Sequence, residues 1–367
     1  MINKFKKIVI KIGSSSIVNE KTKKIKTGWL RSICNDISLM HPNQKIIIVC
    51  SGAIALGLKF INNKHSIRRL EDKQAAAAVG QIELAKYWQQ ALKKNFINTA
   101  QILLTLEDSE VRRRYLNVRK TINALHKKNI IPIINENDTV ATEEIRFGDN
   151  DRLAARVAQM IDADLLVLLS DVDGLYSESP INNKRAKKIK DVFKVDSKIE
   201  EMASSNHSSI GSGGMSTKIW AAKICMNSGC STVITSSKKI LPLQNITKNN
   251  STWFHAEKSP KSSRKQWLLN HLHPSGTIII DLGAQKAVEN NKSLLPAGVI
   301  EIKGRFDRGD VISILNIKNI KVGIGVIAYD SSDAKKIVGK NSKDIKDILG
   351  YEGRDELIHK DDLVKVN

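Results

Sequence analysis

The chain has 367 residues, 41% of them hydrophobic, and its 59 Lys and Arg against 38 Asp and Glu give a formal charge of +21. That length exceeds an ordinary single domain and that apolar share excludes a disordered chain, so two domains and a substantial core are expected. No run approaches the roughly 18 uninterrupted apolar residues of a membrane span, and the opening MINKFKKIVIKIG enters a strand-like run without a cleavage region. No membrane association and a cytoplasmic location are expected.

The positive charge is unevenly placed. Residues 1–275 hold 44 Lys and Arg against 24 Asp and Glu, whereas residues 276–367 hold 15 against 14. Within the first part the lysines are scattered, as at Lys23, Lys93, Lys127 and Lys187, which fits solvated faces better than a nucleic-acid stripe. Such a field still favours anionic substrates. Cys34, Cys50, Cys225 and Cys230 form no C-x-x-C pair and have no histidine at zinc spacing, so reduced core thiols are expected.

In chain order, β-branched apolar runs alternate with segments of helical period up to about residue 236, the pattern of an α/β layered fold with a largely parallel sheet. Strands are expected at Lys7–Ile12, Lys45–Cys50, Thr99–Thr105, Ile130–Asn135, Leu165–Ser170 and Thr232–Thr235. Clear helices are expected over Asp72–Lys94 and Arg152–Ile161, the second with Leu153, Val157 and Met160 on one face. Unusual polar residues gather just beyond the strands, where open parallel sheets bind ligands.

The first such residue is Lys11, which interrupts an apolar strand before Gly13-Ser14-Ser15-Ser16. A lysine in a central strand needs a partner, which suggests an anion at the strand end; in an edge strand it would simply face water. Next come Ser51-Gly52-Ala53, then Asn135-Glu136-Asn137-Asp138, then Phe147-Gly148-Asp149-Asn150-Asp151 at the start of a helix. One of Asp149 and Asn150 suffices as a cap; together with Asn135 and Asp138 the cluster offers the donors and acceptors a zwitterionic amino acid requires. Asp171-Val172-Asp173-Gly174 follows the fifth strand. Last comes Gly211-Ser212-Gly213-Gly214-Met215-Ser216-Thr217-Lys218, before a helix-compatible run. It reads as a phosphate cradle at a helix start, or as a glycine loop that merely caps that helix; the spacing is not that of a Walker loop.

If Lys11 and Lys218 converge with Asp151 between them, the site holds the parts of phosphoryl transfer, which asks chiefly for positioning and charge neutralisation. A carboxylate acceptor is already ionised near neutral pH, so no base is needed, and none of the eight histidines stands in a motif.

Residues from about 237 to 275 are mixed, with a linker expected over residues 259–275; beyond it the chain reads as short strands with glycine turns at Thr277–Leu282, Gly298–Lys303, Asp310–Asn316 and Val322–Ala328. A small β-rich barrel is expected over residues 276–354, followed by a tail over residues 355–367; residues 1–258 form the larger domain.

The runs Ile10 to Ser15, Ser51 to Ala55, Ile134 to Asp138, Gly148 to Asp151, Leu169 to Asp171 and Gly211 to Lys218 resemble, in order, the signatures of the amino acid kinase family, specifically the branch acting on glutamate. Ser293 to Gly298, Gly304 to Asp310 and Ile348 to Glu352 resemble a PUA domain. The resemblance implies an open, mainly parallel sheet sandwiched by helices, ATP and L-glutamate as substrates, Mg²⁺ as cofactor and L-glutamyl 5-phosphate as product, the first step of proline biosynthesis, with proline as feedback inhibitor. It further implies a homo-oligomer and possible association with glutamyl phosphate reductase. By position it implies glutamate contacts at Ser51, Asp138 and Asn150 with Asn135 and Asp149 nearby. ATP contacts are implied at Lys11, Ser170, Asp171, Ser212, Gly213, Gly214, Met215, Ser216, Thr217 and Lys218. Catalysis falls to Lys11 and Lys218, oriented by Asp151; no metal ligand is assigned.

Two other readings are weighed: a kinase of the same fold acting on another carboxylate or on a nucleotide, and an RNA-binding PUA protein. The Asn135–Asp138 and Asp149–Asp151 clusters favour glutamate. The near-neutral residues 276–367, with only Phe306, Tyr329 and Tyr351 as aromatics, disfavour RNA.

Overall fold

Six of the apolar runs form strands that lie side by side, pointing the same way: β1 (Lys7–Ile12), β2 (Lys45–Cys50), β3 (Asn98–Leu104), β4 (Ile130–Glu136), β5 (Leu165–Ser170) and, later in the chain, β9 (Ser231–Ser236). The computed structural model describes residues 1–61, 69–140, 150–178, 183, 185–204, 214–260 and 274–365. The short strands β6 (Leu175–Tyr176) and β7 (Lys188–Ile189) pair with each other, while β8 (Asp191–Val192) and β10 (Ser251–Phe254) extend the main sheet. Its order is β3-β4-β2-β1-β5-β9-β10-β8, with β10 antiparallel to β9.

Strand β1 lies between β2 and β5, so Lys11 stands in a central strand and the edge-strand reading fails. Alternation along the strands then decides which face each side chain serves. Ile8, Ile10 and Ile12 share a core with the helices Thr27–Met40 and Leu70–Lys93. Val9 shares the opposite core with the helices Asn150–Met160 and Met215–Asn227. Lys11 has the parity of Val9, so it is directed toward the two helices that begin with Asn150-Asp151 and with Met215 to Lys218. Strands buried on both faces read as continuous apolar runs, which is why these were visible in sequence.

Strand β10 was hidden in the mixed stretch after residue 236. Two of its four residues, Ser251 and Thr252, are polar yet wholly buried. Thr252 Oγ1 accepts from Leu175 N at 2.8 Å and donates to Ile189 O at 2.5 Å, so the polarity is satisfied by neighbouring strands. All four cysteines are free and buried.

Residues 1–260 form one compact unit and residues 261–367 another. Most of the expected linker, residues 261–273, lies outside the described residues. The second unit holds β11 (Gly276–Ile280), β12 (Val299–Gly304), β13 (Val311–Asn316), β14 (Lys321–Val326) and β15 (Leu363–Lys365) in the order β12-β11-β13-β14-β15. Only β11 and β13 run parallel. Its core gathers Ile278, Ile280, Ile312 and Ile314 with Leu357, Ile358 and Leu363. Residues 355–365 are therefore part of this unit and not a tail: β15 pairs with β14, and Ile358 bridges Leu294. Leu357-Ile358 and Leu363-Val364 are apolar pairs split by His359 to Asp362, each too short to signal a strand. Among the described residues no helix is long and apolar enough to cross a membrane.

Candidate active site

The centre of the site is Asp151, which is fully buried. Its Oδ1 lies 2.6 Å from Lys11 Nζ and its Oδ2 lies 3.1 Å from Lys218 Nζ, so one carboxylate from the first turn of a helix bridges two lysines from a strand and another helix. Thr217 Oγ1 donates to the same Oδ2 at 2.9 Å. Burial pushes the Asp151 carboxyl upward, but the charges of Lys11 and Lys218 and the bonds from Lys11 and Thr217 outweigh it and hold it well below the usual carboxylate range. Two lysines thus share a single carboxylate, a formal net charge of +1. One lysine is balanced by Asp151, and the second unit of charge faces whatever anion enters.

Lys218 owes its place to the helix Met215–Asn227, whose N-cap is Gly214 in extended backbone. The lysine sits in the first turn, where free N–H groups and the positive dipole end also favour an anion. Ser170 is buried at the end of β5 and its Oγ donates to Asp171 Oδ1 at 3.0 Å. Strand β5 pairs with β1, which brings this hydroxyl and carboxylate to the same sheet edge as Lys11.

A second cluster lies at the ends of β2 and β4. Asn150 Nδ2 lies 2.8 Å from Cys50 O, 2.7 Å from Ser51 Oγ and 2.9 Å from Asn135 Oδ1, donating its two hydrogens among three acceptors. Because a backbone carbonyl can only accept, the amide of Asn150 has one possible orientation, and its Oδ1 is left buried without a hydrogen-bond partner among the described residues. Asn135 Nδ2 in turn donates to Gln81 Oε1 at 2.6 Å. Asp138 is buried and has no ion pair or hydrogen bond among the described residues, and burial raises its carboxyl to about 6. An unpaired buried carboxylate and an unpaired buried amide oxygen are each complementary to an ammonium group.

The structure thus brings Lys11, Asp151, Thr217 and Lys218 together, and separately Ser51, Asn135 and Asn150. Asp149, Ser212 and Gly213 lie outside the described residues. Gln81 was not anticipated, although a signal exists: it interrupts the apolar series Ala77, Leu84, Trp88 on the buried face of the helix Leu70–Lys93.

A model of the amino acid kinase family matches residues 6–236, and one of the PUA domain matches residues 276–349. A glutamate 5-kinase of Paramagnetospirillum magneticum is 48% identical over 361 residues, 98% of this chain and 97% of that protein. One of Agrobacterium fabrum is 50% identical over 360 residues, 98% and 92% of the two chains. Among solved structures, the carbamate kinase of Giardia lamblia superimposes with a TM-score of 0.50 at 15% identity, covering 69% of this chain and 99% of that one, a likeness of fold only. The chain belongs to the amino acid kinase family, on the branch of the glutamate 5-kinases, and carries a PUA domain after its kinase domain.

Proposed function

We propose that this protein transfers the γ-phosphoryl group of ATP to the side-chain carboxylate of L-glutamate, giving L-glutamyl 5-phosphate and ADP. The observation that carries the reading is Asp151 bridging Lys11 and Lys218 at 2.6 and 3.1 Å beside the helix start at Met215. A glutamate carboxylate oxygen attacks the γ-phosphorus; the bond to the oxygen shared with the β-phosphate breaks, and ADP leaves with that electron pair. The attacking group is already ionised, so no proton need be removed. The lysines neutralise the equatorial charge of the moving phosphoryl group, and Asp151 holds them in place without competing as a base. Ser170, Asp171 and residues 212–218 are proposed nucleotide contacts.

Mg²⁺ is proposed to arrive on the ATP phosphates as part of the substrate. Both oxygens of Asp151 are committed to lysines, and among the described residues no group of three or more His, Cys, Asp or Glu side chains could hold a metal. A place as first step of proline synthesis is supported by the glutamate 5-kinase relatives. Proline inhibition, self-association, association with glutamyl phosphate reductase and a cytoplasmic location belong to the same proposal and are supported by the family resemblance.

The reading is tested by supplying a panel of amino acids with ATP and trapping acyl phosphate as hydroxamate. Glutamate is expected to give product; activity confined to another acceptor would overturn it. At the recognition end, Ser51, Asp138 and Asn150 are proposed to bind the amino acid, with Asp138 taking the α-ammonium. The carboxyl of Asp138 is raised to about 6 by burial, so its charge is present above that pH and lost below it. The KM for glutamate should accordingly rise as pH falls through 6, by roughly tenfold per unit beyond it, while the KM for ATP stays level. Asp138→Asn should raise the glutamate KM about 30-fold or more at neutral pH and flatten this dependence. An unchanged pH profile in that variant would remove Asp138 from the site.

Because all the phosphate and carboxylate motifs precede residue 219 and each unit has its own core, a chain ended at Pro260 is expected to fold and retain glutamate-dependent ATP consumption. A folded but inactive truncation would show that residues 261–367 are needed for chemistry. Tight RNA binding by residues 276–367 at physiological salt would revive the RNA reading.

A further inference from the structure

The helix Leu70–Lys93 approaches the helix Ala53–Gly57 more closely than side chains normally permit. A Cβ built on Gly80 would fall 1.8 Å from Ala53 O, and one on Gly57 would fall 1.8 Å from Ala76 O. Glycine inside a helix is unfavourable relative to alanine, and here alanine cannot fit at either point. This backbone-on-backbone crossing brings the residue after Gly80 to the ends of β2 and β4. That residue is Gln81, buried, with its Oε1 2.6 Å from Asn135 Nδ2.

The three amides form a chain with one direction. Asn135 has the parity of Ile131 and Ile133, which pack in the core shared with the helix Leu70–Lys93, and so it meets Gln81 on that face. Asn150 opens a helix on the opposite face, so the chain crosses the carboxyl edge of the sheet. Gln81 accepts from Asn135; this turns Asn135 Oδ1 toward Asn150; Asn150 then donates, and its own Oδ1 becomes the acceptor with no partner among the described residues. If Gln81 offered no acceptor, the Asn135 NH₂ would be left buried without its partner, and Asn135 would lose one of the two side-chain bonds that hold its Oδ1 against Asn150 Nδ2.

We propose that Gln81 is a positioning residue for amino-acid binding: with the Asn150 amide oriented by Cys50 O, Gln81 anchors Asn135 so that its Oδ1 stays against Asn150 Nδ2, which holds Asn150 Oδ1 in place to accept a hydrogen bond from the substrate ammonium. This inference rests on glutamate being the acceptor substrate. Gln81 touches neither phosphate nor reacting carboxylate, so its influence is on saturation by glutamate and not on the transfer step.

The test is carried out on the full chain, with saturation curves for glutamate and ATP and thermal melting of wild type, Gln81→Met, Gln81→Asn and Gln81→Glu. Gln81→Met keeps the volume without the acceptor; Gln81→Asn keeps the amide but withdraws it by one methylene. Both should raise the glutamate KM roughly ten- to a hundredfold, since each leaves a buried donor of Asn135 unpaired, with kcat and the ATP KM within about twofold of wild type. Gln81→Glu keeps an oxygen at the accepting position and should restore the glutamate KM. If Gln81→Met fails to fold, Gln81→Asn decides. An unchanged glutamate KM in the folded variants, a loss confined to kcat, or a Gln81→Glu as impaired as Gln81→Met would each overturn the role of Gln81 while leaving the glutamate kinase reading intact. A wild-type protein that forms no acyl phosphate with glutamate would overturn both.

Discussion

Replacing Lys218 with alanine is expected to lower turnover by roughly 10²–10³, and replacing Lys11 to do the same, because each is proposed to present a preorganised charge worth about 3–4 kcal/mol to the moving phosphoryl group. Neither loss should unfold the protein. In wild type two lysines share one aspartate, and in each single variant Asp151 keeps one counter-ion, so no unpaired charge is buried. The two variants should differ in detail. Lys218 stands in the first turn of the helix Met215–Asn227, with Thr217 tying that turn to Asp151, so its loss leaves helix N–H groups still directed at the phosphates. After β1 the element left beside Lys11 is the single turn Ser14–Ile17 capped by Gly13, shorter than the helix Met215–Asn227, so replacing Lys11 should be the less forgiving. The double variant should lose less than the product of the single effects, since both act on the same charge. Single-turnover phosphoryl transfer with circular dichroism checks this; near-normal turnover in either folded variant removes that lysine from the mechanism.

Much of this arrangement was legible because a parallel sheet buried on both faces leaves a plain trace. The runs Lys7–Ile12, Lys45–Cys50 and Leu165–Ser170 are strands with those bounds. Lys11 was the informative exception, a charge at a position whose neighbours are wholly apolar, but sequence could not say whether β1 was central. Only the pairing of β1 with both β2 and β5 removes that ambiguity, and only alternation along the strand directs Lys11 toward Asp151. Gln81 was missed because its role is conferred by Gly80 and Gly57, whose close approach joins helices that periodicity treats separately. Strands β10 and β15 escaped because buried Ser251 and Thr252 mimic a loop, and because Leu363-Val364 is too short to show a period.

Asp151→Asn is the replacement expected to cost most, in stability as well as activity. The wild-type carboxylate is buried between two cations, and removing its charge leaves Lys11 and Lys218 facing each other across a neutral amide. Breaking a buried ion pair from one side typically costs about 3–5 kcal/mol, since the partner left behind is uncompensated. The lysines should then move apart, and turnover should fall at least as far as in the lysine variants. The pH dependence distinguishes this account from a general loss of packing. The carboxyl of Asp151 is held below its ordinary value of 3.8, so the folded protein releases this proton more readily than the unfolded chain. Its contribution to stability is therefore fully present above about pH 5 and is lost as pH falls through 3.8 toward the depressed folded value. Asp151→Asn lacks that group, so the gap in unfolding free energy between wild type and variant should be constant from pH 8 to 5 and narrow below it. Chemical denaturation across that range measures the gap; one that stays constant to pH 3 would show that Asp151 is not the charge that holds the two lysines together.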